Sequence, residues 1–134
     1  MLKKRIIPKF LFQFRNINGT LLPTFVISKK FSDFRIIGSI IPQAKIYEAQ
    51  LADELMILNI EDKQCSKDNE FLSFLKKFSE QIFMPLTVGG GVKTLECFEQ
   101  FLNNGADKVF INSEAIQNPN LIKLASEKFG SQCV

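Results

Sequence analysis

The sequence predicts an α/β protein whose sheet is parallel and covered by helices. Three observations carry this. Short apolar runs alternate along the chain with segments of helical spacing or composition. One run, Leu55-Met56-Ile57-Leu58-Asn59-Ile60, is apolar almost throughout, the mark of a strand buried on both faces. A third run ends in Gly89-Gly90-Gly91 immediately before a helical pattern, which reads as strand, tight loop and helix start. Regular alternation at this spacing gives βαβ units with right-handed crossovers. Two closures satisfy it: an open doubly wound sheet, or a (βα)8 barrel of which this chain holds half.

The elements follow in order. Residues 5–10 are apolar and predict a first strand. Residues 11–38 predict an irregular first loop, with turn signals at Asn16-Ile17-Asn18-Gly19, Pro23 and Gly38. Residues 43–50 are helical in composition, and residues 55–60 are the second strand. Phe71, Leu72, Phe74, Leu75 and Phe78 recur at helical spacing and predict a helix over 69–82. Residues 86–88 are the third strand, and 94–104 a helix stopped by Gly105. Residues 109–111 are the fourth strand. Asn118-Pro119 caps a helix over 121–129, which Gly130 ends. Residues 132–134 read as the start of a fifth strand. The expectation is one unit over 1–134, a (βα)4 half-barrel cut inside an apolar run, hence a fragment or a truncated product. Its first and fourth strands would present open edges through which the isolated chain self-associates.

Composition narrows the function classes. With 134 residues and 46% hydrophobic content the chain has material for one core. A net charge of +3 is too weak to argue for nucleic acid. No 18-residue apolar span and no signal-peptide core is present, so no membrane partner is expected. The three cysteines, Cys65, Cys97 and Cys133, are odd in number and lack a CxxC, and read as free thiols of a reducing compartment, the cytoplasm. There is no histidine, which excludes a His-based triad and argues against zinc; no metal and no cofactor is expected. The glycine triplet remains as the candidate site. Glycines let backbone N–H groups come close to a phosphate. Alone, the triplet fits a plain strand-to-helix turn better than a ligand site.

Five blocks now stand in order: Lys4-Arg5-Ile6-Ile7-Pro8, Ala52-Asp53-Glu54-Leu55, Pro85-Leu86-Thr87-Val88-Gly89-Gly90-Gly91, Gly105-Ala106-Asp107-Lys108-Val109 and Phe129-Gly130-Ser131-Gln132. Together they resemble the cyclase subunit of imidazole glycerol phosphate synthase, from histidine biosynthesis. That family is a (βα)8 barrel of roughly 250 residues, and the resemblance makes this chain its N-terminal half. It implies a phosphorylated small-molecule substrate, with one phosphate held at Gly90, Gly91, Asn112 and Ser113 and with Thr87 facing the same cavity. It implies a glutaminase partner, a class I amidotransferase, whose ammonia enters through a gate matched by Arg5, Glu54 and Lys108. Asp107 and Gln132 would face that partner. The gate residues fit an ordinary network at the barrel's bottom as well.

The departures from the family are chemical. The carboxylate expected at the end of strand 1 is Leu11, which cannot exchange a proton. The acidic residue expected at the end of strand 2 is Asn59. The lysine of the first loop has only Lys29 and Lys30 as out-of-register candidates, and the second catalytic carboxylate would lie beyond Val134. No catalytic residue is therefore assigned, and whether the protein is an enzyme stays open: the family is a lyase, and this chain alone is expected to be inactive. Leucine at the strand-1 position, the segment from Phe31 to Gly38, and Met84-Pro85 resemble the cyclase-like paralogues of surface-polysaccharide clusters, which serve acetamidino-sugar synthesis. Three functions follow: a cyclase-like subunit receiving ammonia, a non-catalytic subunit that docks a glutaminase or conducts its ammonia, and an inactive remnant.

Overall fold

The computed structural model describes residues 2–30, 32–61 and 69–134. Cys65 and Phe31, which enter the sequence reading, lie outside them. The elements are β1 (Lys9–Ile17), β2 (Thr20–Lys29), β3 (Ser32–Ser39), α1 (Ile40–Ala49), β4 (Leu55–Asn59), α2 (Asn69–Gln81), β5 (Leu86–Gly89), α3 (Leu95–Asn103), β6 (Lys108–Phe110), α4 (Ser113–Gln117) and α5 (Asn120–Phe129). One six-stranded sheet has the order β3-β2-β1-β4-β5-β6. β1, β4, β5 and β6 are mutually parallel neighbours, the arrangement that alternating strands and helices predict.

The first loop is where the structure departs from the sequence reading. Residues 11–38 are not irregular: they hold most of β1 and an antiparallel extension, β2 and β3. The cause is the Asn18-Gly19 pair. Both residues take positive φ, at 52° and 82°, the requirement of a two-residue type I′ turn whose twist matches paired strands. Leu11 to Ile17 then pair back onto Thr20 to Val26. Pro23 pairs with Phe14 of β1 on one side, and it is tolerated because β3 pairs only from Thr24 onward, which leaves the other side of β2 open at the proline. β1 also starts later than expected. Residues 2–8 carry no strand, although Ile6 and Pro8 accept backbone bonds from Asp53 and Met56. β1 is therefore not an edge; β3 and β6 are.

Alternation within each parallel strand sorts its side chains onto two faces. Phe10 and Phe12, Leu55 and Ile57, Leu86 and Val88, and Val109 share one face by register and are buried. They form one cluster with the apolar faces of α1, α2, α3 and α5. Phe12 is fully enclosed, with its ring 4.9 Å from that of Phe71 and 4.6 Å from that of Phe74 on α2. Each such ring contributes about 1.5–3 kcal/mol by leaving water, which is what the phenylalanine content of the chain achieves. α2 matches its predicted span to within one residue. α3 starts after Thr94, whose hydroxyl accepts from Cys97 N. Residues 131–133 form a single 3-10 turn, closed by a Cys133 N–H to Gly130 carbonyl bond, where a fifth strand was expected. Cys97 is disulfide-bonded, which corrects the expectation of three free thiols; Cys133 is free.

Candidate functional site

The opposite face of the parallel strands carries side chains in rows set by register. Lys9, Met56, Thr87 and Lys108 lie in one transverse row; Leu11, Leu58, Gly89 and Phe110 lie in the next, toward the strands' C-terminal ends. Below both rows, Glu54 enters from the residue before β4. Its carboxylate is buried, yet it gathers two cations: Arg5 Nη1 at 3.1 Å and Lys108 Nζ at 3.2 Å from Oε2. The Thr87 hydroxyl donates to Oε1. Burial works against ionisation here, but the Thr87 and Lys108 hydrogen bonds and the charges of Lys108 and Arg5 outweigh it and hold the carboxyl below its ordinary value of 4.5.

That depression makes Glu54 a pH-dependent strut. Its contribution is fully present above the ordinary glutamate range and is lost as pH falls below it. Glu54→Gln is expected to cost about 1–2 kcal/mol at neutral pH, a figure reduced because Arg5 is more than half exposed. Urea midpoints measured from pH 7 to pH 3 check this. The variant should lose part of the acid-side decline of the wild type; an unchanged decline would show that the network contributes nothing.

At the C-terminal ends of the strands lies a cavity of about 550 Å³. It brings together Gly90 and Gly91, after β5, with Asn112 and Ser113, after β6. Gly90 and Gly91 both take positive φ, at 109° and 65°. Gly90 has a further requirement: a Cβ there would fall 2.0 Å from the Asn59 carbonyl oxygen. The loop thus presses on the end of β4, and only glycine fits. The Asn112 side chain makes no capping bond to the short α4. Thr87 is not in this cavity. It is the second residue of β5, well short of the glycines, and it belongs to the Glu54 network instead.

Leu11 pairs with Val26 on one side and Leu58 on the other. Apolar neighbours surround the position where the family resemblance expects an acid. Asn59 is buried and its Oδ1 accepts from Glu61 N at 3.0 Å; the Glu61 carboxylate in turn accepts from Phe14 N at 2.8 Å. Glu61 thereby fastens the segment after β4 to β1, and Asn59 holds the Glu61 backbone in place. Asp107 is exposed at the N-terminal end of β6 and holds Leu86 N at 2.8 Å. Gln132 is exposed in the turn that follows α5. Sequence reasoning missed Lys9 and Lys93, which also line the cavity. For Lys9 the missing information was register, since a lysine opening an apolar strand reads as a solvent residue until its neighbour across the sheet is known.

A family profile described as histidine biosynthesis protein matches residues 24–134. The chain belongs to that family. A provisionally named imidazole glycerol phosphate synthase subunit hisF2 of Prochlorococcus marinus strain MIT 9313 is 46% identical over 134 residues, covering 100% of this chain and 51% of its own length. A subunit of the same provisional name from Campylobacter jejuni is 45% identical, covering 100% and 50%. Imidazole glycerol phosphate synthase subunit HisF of Methanococcus vannielii is 44% identical over 135 residues, covering 100% and 46%. The chain thus spans about half the length of the curated relatives it matches, and its parallel strands and helices are those of this TIM-barrel family. No helix among the described residues is long and apolar enough to cross a membrane.

Proposed function

We propose that this histidine biosynthesis family chain is half of a cyclase-like barrel over 1–134, one that receives glutaminase-derived ammonia and holds a phosphorylated ligand without a strand-1 acid or base. The observation that carries the reading is a contrast on one face of the sheet. The Arg5–Glu54–Lys108 network is complete, with Thr87 locking the carboxylate. Two residues along β1 from the row that holds Thr87, Leu11 is apolar where the family resemblance expects the strand-1 acid, and Asn59 stands where it expects the strand-2 acid. Machinery for admission is kept; machinery for acid–base ring closure is not.

Each proposed part has a physical role. Glu54 opposes two cations and Thr87, so a small neutral molecule meets hydrogen-bonding groups there whose charges already compensate one another. Asp107 and Gln132 lie exposed toward that end and would meet the glutaminase, in the cytoplasm. Gly90, Gly91, Asn112 and Ser113 supply backbone N–H groups and short polar side chains to a phosphate. Two chains named hisF2 among the relatives favour a paralogue, and acetamidino-sugar synthesis is the service such a paralogue would perform.

Titration with inorganic phosphate, followed by amide resonances, tests the ligand half of this reading. Gly90, Gly91, Asn112 and Ser113 should shift together at millimolar phosphate. A folded chain whose loops do not respond contradicts it. Co-elution with a class I glutaminase subunit tests the partner half: a stable or salt-sensitive complex is expected, and independent elution of the two at micromolar concentration argues against docking.

A further inference from the structure

We infer that the ring of Phe110 is a stacking platform in the cavity floor, which makes the site selective for a phosphorylated sugar in its closed pyranose form. The inference rests on the phosphate site proposed at Gly90, Gly91, Asn112 and Ser113. Its own basis is the packing of one ring on one glycine. Phe110 ends β6 across from Gly89 of β5, and it lines the cavity. A Cβ built on Gly89 would meet Phe110 Cε1 at 2.5 Å, Cζ at 2.6 Å and Cδ1 at 2.7 Å. These are three consecutive ring atoms at almost one distance. A ring approached by its edge would put the middle atom much nearer than its two neighbours. The Cβ position therefore lies over the face of the ring, and the ring lies flat on the backbone of β5. Gly89 has no positive φ, so space for this ring is what requires glycine there.

One face of the ring is taken by Gly89. The other is turned away from the sheet, toward the cavity. Phe110 is only half-buried, and no aromatic ring among the described residues stacks on it. Leu11 and Leu58 continue the same transverse row, so the floor is apolar across the parallel strands. A ligand with a flat apolar face gains by covering such a ring. The walls differ from the floor. Asn112, Ser113, Glu114 and Gln117 bring amide, hydroxyl and carboxylate groups to the same cavity. A pyranose matches both surfaces: the C–H groups of one sugar face lie on the phenyl ring, and the hydroxyls around its rim reach the walls. A planar heterocycle would cover the ring but leave most of these polar groups without a partner. Asn112 and Ser113 closely follow Phe110 in the chain, so phosphate and platform adjoin. A hexose 6-phosphate, with a single methylene between ring and phosphate, suits that spacing.

Three probes that share a phosphate separate the alternatives: glucose 6-phosphate, its open-chain counterpart sorbitol 6-phosphate, and adenosine 5′-monophosphate with a planar base. Each is titrated into the full chain, with amide shifts at Gly90 and Gly91 reporting occupancy. Glucose 6-phosphate should bind about fivefold more tightly than sorbitol 6-phosphate. Its ring C–H resonances should move upfield on binding, as protons above an aromatic face do. Phe110→Leu should bring the two hexose phosphates to equal affinity and remove the upfield shift, and Phe110→Tyr should keep both effects. Amide spectra verify that the variants are folded, and the wild-type comparison tests the platform without any variant. Equal affinities in the wild type, no upfield shift, or a preference that survives in Phe110→Leu overturns the platform and leaves the phosphate site standing. Tighter binding of adenosine 5′-monophosphate than of glucose 6-phosphate overturns the pyranose assignment. No response at the glycine loop to any probe overturns the phosphate site, and the platform's ligand with it.

Discussion

Gly90→Ala is expected to lower stability by about 3 kcal/mol or more, enough to reduce Tm by roughly 10 °C. Two costs add. A Cβ is disfavoured at a φ of 109°, and this one would stand 2.0 Å from the Asn59 carbonyl oxygen. Backbone strain of this kind costs about 1–3 kcal/mol, and forcing packed atoms apart costs a similar amount. The neighbour is main chain at the end of β4, which cannot rotate away. It can yield only by pulling β4 from β5 or by displacing the loop from the cavity. Gly19→Ala is the control. It has a φ of 82° with nothing within 4 Å, so it should cost only about 1 kcal/mol. Thermal unfolding of the two variants separates conformational strain from close approach. If they lose equal stability, the contact between the glycine loop and Asn59 is not what demands glycine.

The same residue shows what was legible in the sequence and what was not. The triplet Gly89-Gly90-Gly91 marked the loop, because three glycines between an apolar run and a helical pattern have few other readings. That Gly90 touches β4 depends on the pairing of Ile57 with Val88 and Leu58 with Gly89, which only the folded sheet reveals. The four parallel strands were legible for a similar reason. Leu55 to Leu58 and Leu86 to Val88 are apolar on consecutive residues, and helical spacing follows each. β2 and β3 were not read, though Asn18-Gly19 is a strong hairpin signal. Pro23 and the exposed isoleucines of residues 27–37 mask the alternation that usually accompanies it.

At the candidate site, types of residue were legible and mutual placement was not. The sequence offered Arg5, Glu54 and Lys108 as three charges at strand starts, and they do meet on one carboxylate. Thr87 joins them instead of the phosphate loop because, although on the same face of β5 as Gly89, it stands one transverse row earlier, beside Lys108. Lys9 was invisible as a site residue until its row across the sheet was known. The Cys97 disulfide had no sequence signal at all, since the cysteines follow no spacing that implies a bridge.

The largest functional effect is expected from a single position. Leu11 stands between Val26 and Leu58 and can neither accept nor donate a proton. Acid–base assistance of the kind it replaces contributes on the order of 10²–10⁴-fold in rate, and groups that act as a unit do not substitute for one another when one is lost. Glu61 does not fill the vacancy, because its carboxylate is committed to Phe14 N at 2.8 Å. The decisive measurement is complementation of a histidine auxotroph that lacks the cyclase subunit, with ammonium supplied so that no glutaminase is required. Soluble expression and the phosphate response of the Gly90 and Gly91 amides are verified on the same protein, so that absence of growth is not mistaken for misfolding. No growth without histidine is the predicted result. Growth would contradict the account, showing that ring closure proceeds with leucine at residue 11.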